Sequence, residues 1–344
     1  MSPRAGGPAA RILVTGGAGF VARHLIAGLL DRGDEVVAVD DLSTGRASNL
    51  EPFLATGRLT FHRSDLCASL ERLESLAPFD EVYHLAAAVG VDLVMREPVR
   101  AIETNIEQTA SFLRFLPRLG RDGRSPSLLL TSSSEVYGKP TRRVFSEEDD
   151  VVYGPTTVRR WSYAYAKAID EYLVLGHAEA SGSRAVVVRL FNTVGPGQVG
   201  SYGMVLPRFV ESALRGEPLT VHGDGTQTRC FCDVRDVAEA LRRLLACEAC
   251  HGRVFNVGSD RPITIRELAE RVVEVTGSSS PIRLVPYGDV YPSGFEDLKH
   301  RRPDLSRIRE AIGFEPKFDL SRTIADLAEE IGDVAGSARE GSAG

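Results

Sequence analysis

Arg11-Ile-Leu-Val-Thr15-Gly16-Gly-Ala-Gly19-Phe20-Val21-Ala22 is the stretch that decides the fold of this chain. Its short apolar run reads as a buried strand, and the pattern after the glycines reads as a helix over Val21 to Arg32. Between them, Gly16 permits a tight turn, and Gly19 lets main chain approach a pyrophosphate at the helix N-terminus. Ala22 keeps the helix close to the strand. The next apolar run, Glu35 to Asp40, ends on a carboxylate 24 residues after Gly16. A carboxylate there accepts both hydroxyls of an adenosine ribose and repels a 2′-phosphate, so the expected cofactor is NAD.

Outward from this unit, strands are expected at Leu59 to Arg63, Glu81 to Ala86, Ser127 to Thr131 and Ala185 to Leu190. Helices are expected at Val99 to Leu119 and Ser162 to Ala180. Continuous apolar strands alternating with helices predict an α/β fold, a Rossmann-like doubly wound parallel sheet covered on both faces. After Asn192 the pattern loosens. Gly195-Pro-Gly197 and Gly223-Asp-Gly225 punctuate a helix at Val205 to Arg215 and a strand at Leu219 to His222. The helix Ile265 to Thr276 follows Thr264 as its N-cap. The expected division is an NAD-binding domain over 11–190, with room for segments around 230–260 to return to it, and a smaller mixed α/β substrate lobe over 191–334. Flexible tails are expected at 1–10 and 335–344.

The chain has 344 residues, 43% of them apolar, and a formal net charge of −6, which leaves ample core for one large or two modest domains. The acidic balance argues against a nucleic-acid partner, whose footprint is a basic patch. No apolar run reaches the ~18–20 residues of a membrane span. Met1 to Ala10 carry no hydrophobic signal core, so the cytoplasm is the expected compartment. Cys247-Glu-Ala-Cys250-His251 matches a haem-attachment pattern, but it follows the amphipathic run Val234 to Ala246 and reads as coincidence. Cys67, Cys230 and Cys232 read as core or surface thiols, and no metal is expected.

In Ser162-Tyr163-Ala-Tyr-Ala-Lys167-Ala-Ile-Asp-Glu-Tyr172, a phenol and an ammonium stand four residues apart on one helix face. The positive charge favours the phenolate and is expected to pull Tyr163 below its ordinary value of about 10. That makes a base for a sugar hydroxyl. Taken alone, such a pair more often belongs to an ordinary amphipathic helix.

Other motifs change that balance: His84-Leu-Ala-Ala87, Thr104-Asn105, Ser132-Ser-Ser-Glu135-Val-Tyr-Gly138, Arg189-Leu-Phe-Asn192 and Pro218-Leu-Thr-Val-His-Gly-Asp-Gly-Thr-Gln227-Thr-Arg229. With them, the chain resembles the extended short-chain dehydrogenase/reductase family, in its nucleotide-sugar branch, from Arg11 to about Leu327. The resemblance implies hydride chemistry at sugar C4. Tyr163 takes the O4 proton with help from Ser133, and Lys167 also holds the nicotinamide ribose. It implies NAD contacts from Gly16, Gly19, Phe20, Val21, Asp40, Asp65, Leu66, Leu85, Ala86, Ala87 and Asn105, besides Tyr163 and Lys167. Substrate contacts are implied for Ser134, Arg160, Asn192, Val221, Gln227 and Arg229, the last as a bidentate phosphate partner. A homodimer through the helices Val99 to Leu119 and Tyr163 to Ala180 is implied as well.

The reaction depends on the fate of the 4-keto sugar. A 4,6-dehydratase of this family carries Asp–Glu before Val-Tyr-Gly, whereas this chain has Ser134-Glu135 and so lacks the acid that expels a C6 hydroxyl. Glu135, Arg160 and Arg301 (in His300-Arg-Arg-Pro303) match positions of nucleotide-sugar uronate decarboxylases, where the Glu and the last Arg are the catalytic additions. Oxidation of UDP-glucuronate at C4 creates a β-keto acid, which loses carbon dioxide readily. Glu135 beside the sugar carboxylate is expected to be raised in pKa by like-charge repulsion, and Arg301 to hold that carboxylate or protonate C5 through water. Related chains carry Arg where this one has Gly197, and some epimerases carry Arg where it has Ser201. An epimerase must restrain the carboxylate, so both absences favour decarboxylation. The expected activity is an NAD-dependent UDP-glucuronate decarboxylase giving UDP-xylose or a released 4-keto pentose. The alternative is a UDP-glucuronate or UDP-glucose 4-epimerase.

Overall fold

The computed structural model describes residues 9–87, 98–140, 142–200, 204–290 and 298–340. Strand β1 (Arg11–Thr15) passes through the glycine turn into the helix Phe20–Asp31, followed by β2 (Glu35–Asp40), β3 (Leu59–Arg63), β4 (Glu81–His84) and β5 (Ser127–Ser133). Next come β6 (Val144–Phe145), the helix Ser162–Ser181, β7 (Ala185–Leu190), β8 (Thr193–Val194), β9 (Leu219–His222) and β10 (Thr228–Cys230). The last strands are β11 (Cys232–Asp233), β12 (Arg253–Val257), β13 (Pro262–Thr264), β14 (Ile282–Val285) and β15 (His300–Pro303).

Seven strands run parallel in the order β12-β7-β5-β4-β1-β2-β3. Ile12, Leu13 and Val14 of β1 have no exposed surface, as a strand covered on both faces requires. One face packs on the helices Phe20–Asp31 and Val234–Ala246. The other packs on Leu66–Leu76, Pro98–Phe115 and Ser162–Ser181. Strand order reverses between β1 and β4, which opens a crevice at their carboxyl ends.

β12 (Arg253–Val257) lies beside β7 at the edge of this sheet. The second lobe holds a four-stranded sheet, β13-β10-β15-β6, and the pairs β11-β8 and β14-β9. The helices Val205–Arg215, Ile265–Thr276 and Leu320–Glu340 enclose its core. β6 precedes the helix of Tyr163 yet pairs with β15, so main-chain hydrogen bonds join the two lobes.

Three local outcomes differ from the sequence reading. β4 ends at His84 rather than Ala86, because the chain turns away once Leu85 N–H has reached the Thr15 carbonyl. The helix expected to reach Leu119 gives way to a 3₁₀ turn at Leu116–Leu119, where Pro117 has no N–H to continue the ladder. Residues 335–340 continue the final helix, and Ala10 is buried, donating its N–H to Asp34 Oδ1 at 3.3 Å. Residues 1–8 and 341–344 of the expected tails lie outside the described residues. Thr264 caps its helix through a full capping box with Glu267.

A buried ion pair braces the sheet behind the crevice. Arg189 of β7 donates to Glu171 through Nε (3.0 Å to Oε1) and Nη2 (2.7 Å to Oε2), and Ser132 Oγ donates to Glu171 at 2.5 Å. Leaving either charge unpaired in the interior is expensive. Arg189→Leu is expected to lower stability by about 3–5 kcal/mol in denaturant unfolding, and the double change with Glu171→Leu to recover most of that loss.

Candidate active site

The glycine turn shapes the floor of the crevice. Gly16 has φ +67°, and a Cβ there would stand 2.7 Å from the Ala86 main-chain nitrogen. Gly19 caps the following helix with no side-chain bond, leaving its first N–H groups to an incoming anion. Asp40 accepts from Ala18 N–H (3.0 Å) and Leu42 N–H (2.7 Å), one on each carboxylate oxygen. Each oxygen keeps lone-pair capacity for a ribose hydroxyl. Burial raises the Asp40 pKa, and the two N–H bonds oppose that rise.

A cavity of about 630 Å³ runs from this turn to the helix Ser162–Ser181, a volume suited to a cofactor. Gly16, Gly19, Phe20, Val21, Asp40, Asp65, Leu66, Leu85, Ala86 and Ala87 line it, as do Ser133, Tyr163 and Lys167. Asp65 also caps its helix by accepting Ala68 N–H at 3.1 Å. Asn105 is buried and stands behind the wall; its neighbours Thr104 and Gln108 form the lining. The open helix N-terminus, the aspartate and the glycine approach together fit NAD.

Tyr163 and Ser133 face each other from the helix Ser162–Ser181 and the end of β5, and hydrogen-bond. The expected lowering of the Tyr163 pKa by Lys167 is not found. Burial, then Glu135, then Asp170 push the phenol up, and the Ser133 bond opposes them. Burial is the largest cause of the rise, and Lys167, whose Nζ lies 3.3 Å from Asp170 Oδ2 on the same helix, is not among the groups that oppose it. Asp170 was missed in the sequence, although its position three residues after Lys167 puts it on the same helix face.

Glu135 also departs from expectation. It sits in the 3₁₀ turn Ser134–Tyr137, with Arg160 Nη1 at 2.6 Å from Oε2 and Arg301 Nη1 at 2.7 Å from Oε1. Burial raises its pKa, but Arg301 and then Arg160 more than reverse this, holding it at about 2. Before any substrate arrives, Glu135 is therefore a carboxylate rather than a raised acid. Arg301 arrives from β15, and Arg229 of β10 is its register partner across the parallel pair.

The other expected substrate residues lie further apart. Ser134 is buried beside Glu135. Asn192 donates from its amide to the Cys230 carbonyl (3.2 Å), and Gln227 donates to the His222 carbonyl (3.0 Å). Val221 packs into the second-lobe core. At Gly197, a Cβ would stand 3.0 Å from Arg23 Nη1, so a guanidinium from the turn helix occupies the space beside that position. Ser201 lies outside the described residues. Cys247 ends the helix Val234–Ala246, Cys250 is buried, and His251 Nε2 lies 3.1 Å from the Leu245 carbonyl. Among the described residues, no three metal-ligating side chains cluster, and no helix is long and apolar enough to cross a membrane.

The sequence profile of the NAD dependent epimerase/dehydratase family matches residues 12–258. The chain belongs to that family. It is an enzyme, and its cofactor is NAD. It is 39% identical to a UDP-N-acetyl-alpha-D-glucosaminuronate decarboxylase of Bacillus cytotoxicus, over 94% of this chain and 98% of that one. It is 35% identical to UDP-glucuronic acid decarboxylase 1 of Arabidopsis thaliana, over 93% of this chain and 70% of that one. Among solved structures, a UDP-glucuronic acid 4-epimerase of Bacillus cereus, with UDP-glucuronic acid and NAD, superposes with a TM-score of 0.82 at 26% identity, covering 94% of this chain and 99% of that one.

The site has two measurable consequences. Asp40→Ala is expected to weaken NAD binding about 10–100-fold by calorimetry, the usual worth of a charged hydrogen-bond acceptor. A carboxylate depressed on folding contributes stability above its unfolded pKa and loses it as pH falls towards the folded value. Glu135 thus contributes stability that disappears between about pH 4.5 and 2. Glu135→Gln is expected to flatten the pH dependence of unfolding free energy in that window.

Proposed function

We propose that this enzyme is a nucleotide-sugar uronate decarboxylase, with UDP-glucuronate as substrate and UDP-xylose as product. The observation that carries the reading is the Arg160–Glu135–Arg301 cluster beside Tyr163 and Ser133. It offers two guanidinium groups to a sugar carboxylate and a carboxylate to move a proton at C5. NAD, held by the glycine turn and Asp40, would supply the hydride acceptor and donor for C4. Tyr163 takes the O4 proton, with Ser133 hydrogen-bonded to it as a partner at the same oxygen. In the 4-keto acid the bond from C5 to the carboxyl carbon breaks, carbon dioxide leaves, and its electron pair passes to an enolate whose oxygen Tyr163 and Ser133 hydrogen-bond. A proton from water, relayed by the Glu135 carboxylate, adds at C5 and restores the ketone, and Tyr163 returns its proton to O4 as C4 is reduced. Asn192, Gln227 and Arg229 hold the nucleotide and diphosphate.

The Bacillus cytotoxicus relative supports a second reading within the same chemistry, a uronate bearing an N-acetyl group at C2. Incubation with each UDP-uronate and NAD, followed by mass analysis, tests both. A product lighter by one carbon dioxide is expected from UDP-glucuronate. An isomer of unchanged mass would instead establish a 4-epimerase, and loss of carbon dioxide from the N-acetylated uronate alone would shift the substrate. Tyr163→Phe is expected to lower kcat by about 10²–10⁴-fold, and Arg301→Ala to suppress decarboxylation while leaving NAD affinity intact.

The homodimer belongs to the same proposal. On the outer face of the catalytic helix Ile169 is 41% exposed and Tyr172 78%, an apolar pair beside the helix Pro98–Phe115. Tyr172→Glu is expected to halve the sedimenting mass.

A further inference from the structure

Asp170 has no part in the chemistry above, yet it is fully buried, with Oδ2 3.3 Å from the Nζ of Lys167, itself 2% exposed. Two opposite charges held out of water at this distance form a pair, because either alone carries a large desolvation cost. Thr109 of the helix Pro98–Phe115 stands beside Asp170 and lowers its pKa, while Asp170 Oδ1 is buried without a hydrogen-bond partner. Thr109 Oγ1 also lies 3.4 Å from His84 Nε2, and His84 Nδ1 lies 2.7 Å from Thr15 Oγ1. Polar groups thus line up from the end of β1, at the glycine turn, to the catalytic lysine. Burial and then Lys167 hold His84 down at about 3, so its ring is neutral. The charges along this line are those of Lys167 and Asp170.

We propose that Asp170 is a positioning residue, which fixes the Lys167 ammonium and opposes its pull on the Tyr163 phenol. The proposal rests on the reading of Tyr163 as the base at O4. A tyrosine that removes this proton must also return it when C4 is reduced. An unopposed ammonium would favour the phenolate and slow that return. Ser133 and Glu135 face Tyr163 from the end of β5 and the turn after it, and Lys167 and Asp170 face it from its own helix. Glu135 is occupied by Arg160 and Arg301. Lys167, Glu171 and Thr109 face Asp170, and Glu171 is engaged by Arg189.

The test is the pH dependence of kcat/KM of the NAD-loaded enzyme on UDP-glucuronate, for Asp170→Asn beside the parent and Tyr163→Phe. Asparagine keeps the shape and removes the negative charge. The acid limb is expected to move to lower pH by about one unit. Glu135 at about 2 and His84 at about 3 titrate too low to be mistaken for the limb of the phenol. A limb that stays in place or moves to higher pH overturns the proposal, since a purely structural aspartate would change the amplitude alone. If Asp170→Asn does not fold, Thr109→Val replaces it. Loss of that hydroxyl makes Asp170 bind a proton more readily, so a smaller shift in the same direction is expected, and an unmoved or rising limb again overturns the proposal. Tyr163→Phe separates the two levels. Substantial activity in that variant defeats the base assignment itself. Inactivity there, with an unmoved Asp170→Asn limb, defeats the role of Asp170 alone.

Discussion

Glu135 holds two arginines that reach it from different parts of the chain, and the geometry of the substrate side depends on this contact. Arg160 stands just before the catalytic helix, and Arg301 lies on a strand of the second lobe. One carboxylate between two guanidinium groups leaves one net positive charge close to Tyr163. That local sign opposes the chain's overall −6 and suits an anionic sugar. The same contact explains why Glu135 is ionised in the free protein. Buried carboxylates ordinarily prefer a proton, and the two guanidinium charges outweigh that preference.

The main chain makes the contact durable. β15, which carries Arg301, pairs with β6 on one side and β10 on the other, and β6 comes from the segment between β5 and the catalytic helix. The turn that carries Glu135 is packed through Val136 and Tyr137 against Phe145 of β6 and Phe191. Tyr137 also donates to Asn256 at 2.7 Å, at the end of the returning strand β12. Chemistry at C4 needs atoms held to fractions of an ångström, and here the catalytic turn is tied to both sheets.

Much of the fold was legible because its signals are local. The apolar run at β1, the glycines and Asp40 succeed one another within a single strand–turn–helix–strand unit, and the structure builds the cavity floor from them. Thr264 was legible as a cap for the same reason. Pro117 could have ended the helix expected to continue to Leu119, since a missing N–H is a local fact too. The tyrosine–lysine pair shows where local reading stops. Helical spacing placed the two groups on one face, but the charge that Tyr163 experiences is also set by Glu135, which comes from the turn after another strand.

By itself, the sequence determined the glycine-turn strand–turn–helix, the parallel sheet around it and the helix face that carries Tyr163 and Lys167. Each rests on periodicity, or on residues whose main-chain freedom or short-range spacing restricts them to one local conformation. Only the tertiary structure decided the protonation of Glu135, the pairing of Lys167 with buried Asp170, and the arrival of Arg23 beside Gly197. These are consequences of burial and of charges brought together by packing, and ionisation responds to distance and desolvation, which separation along the chain does not encode.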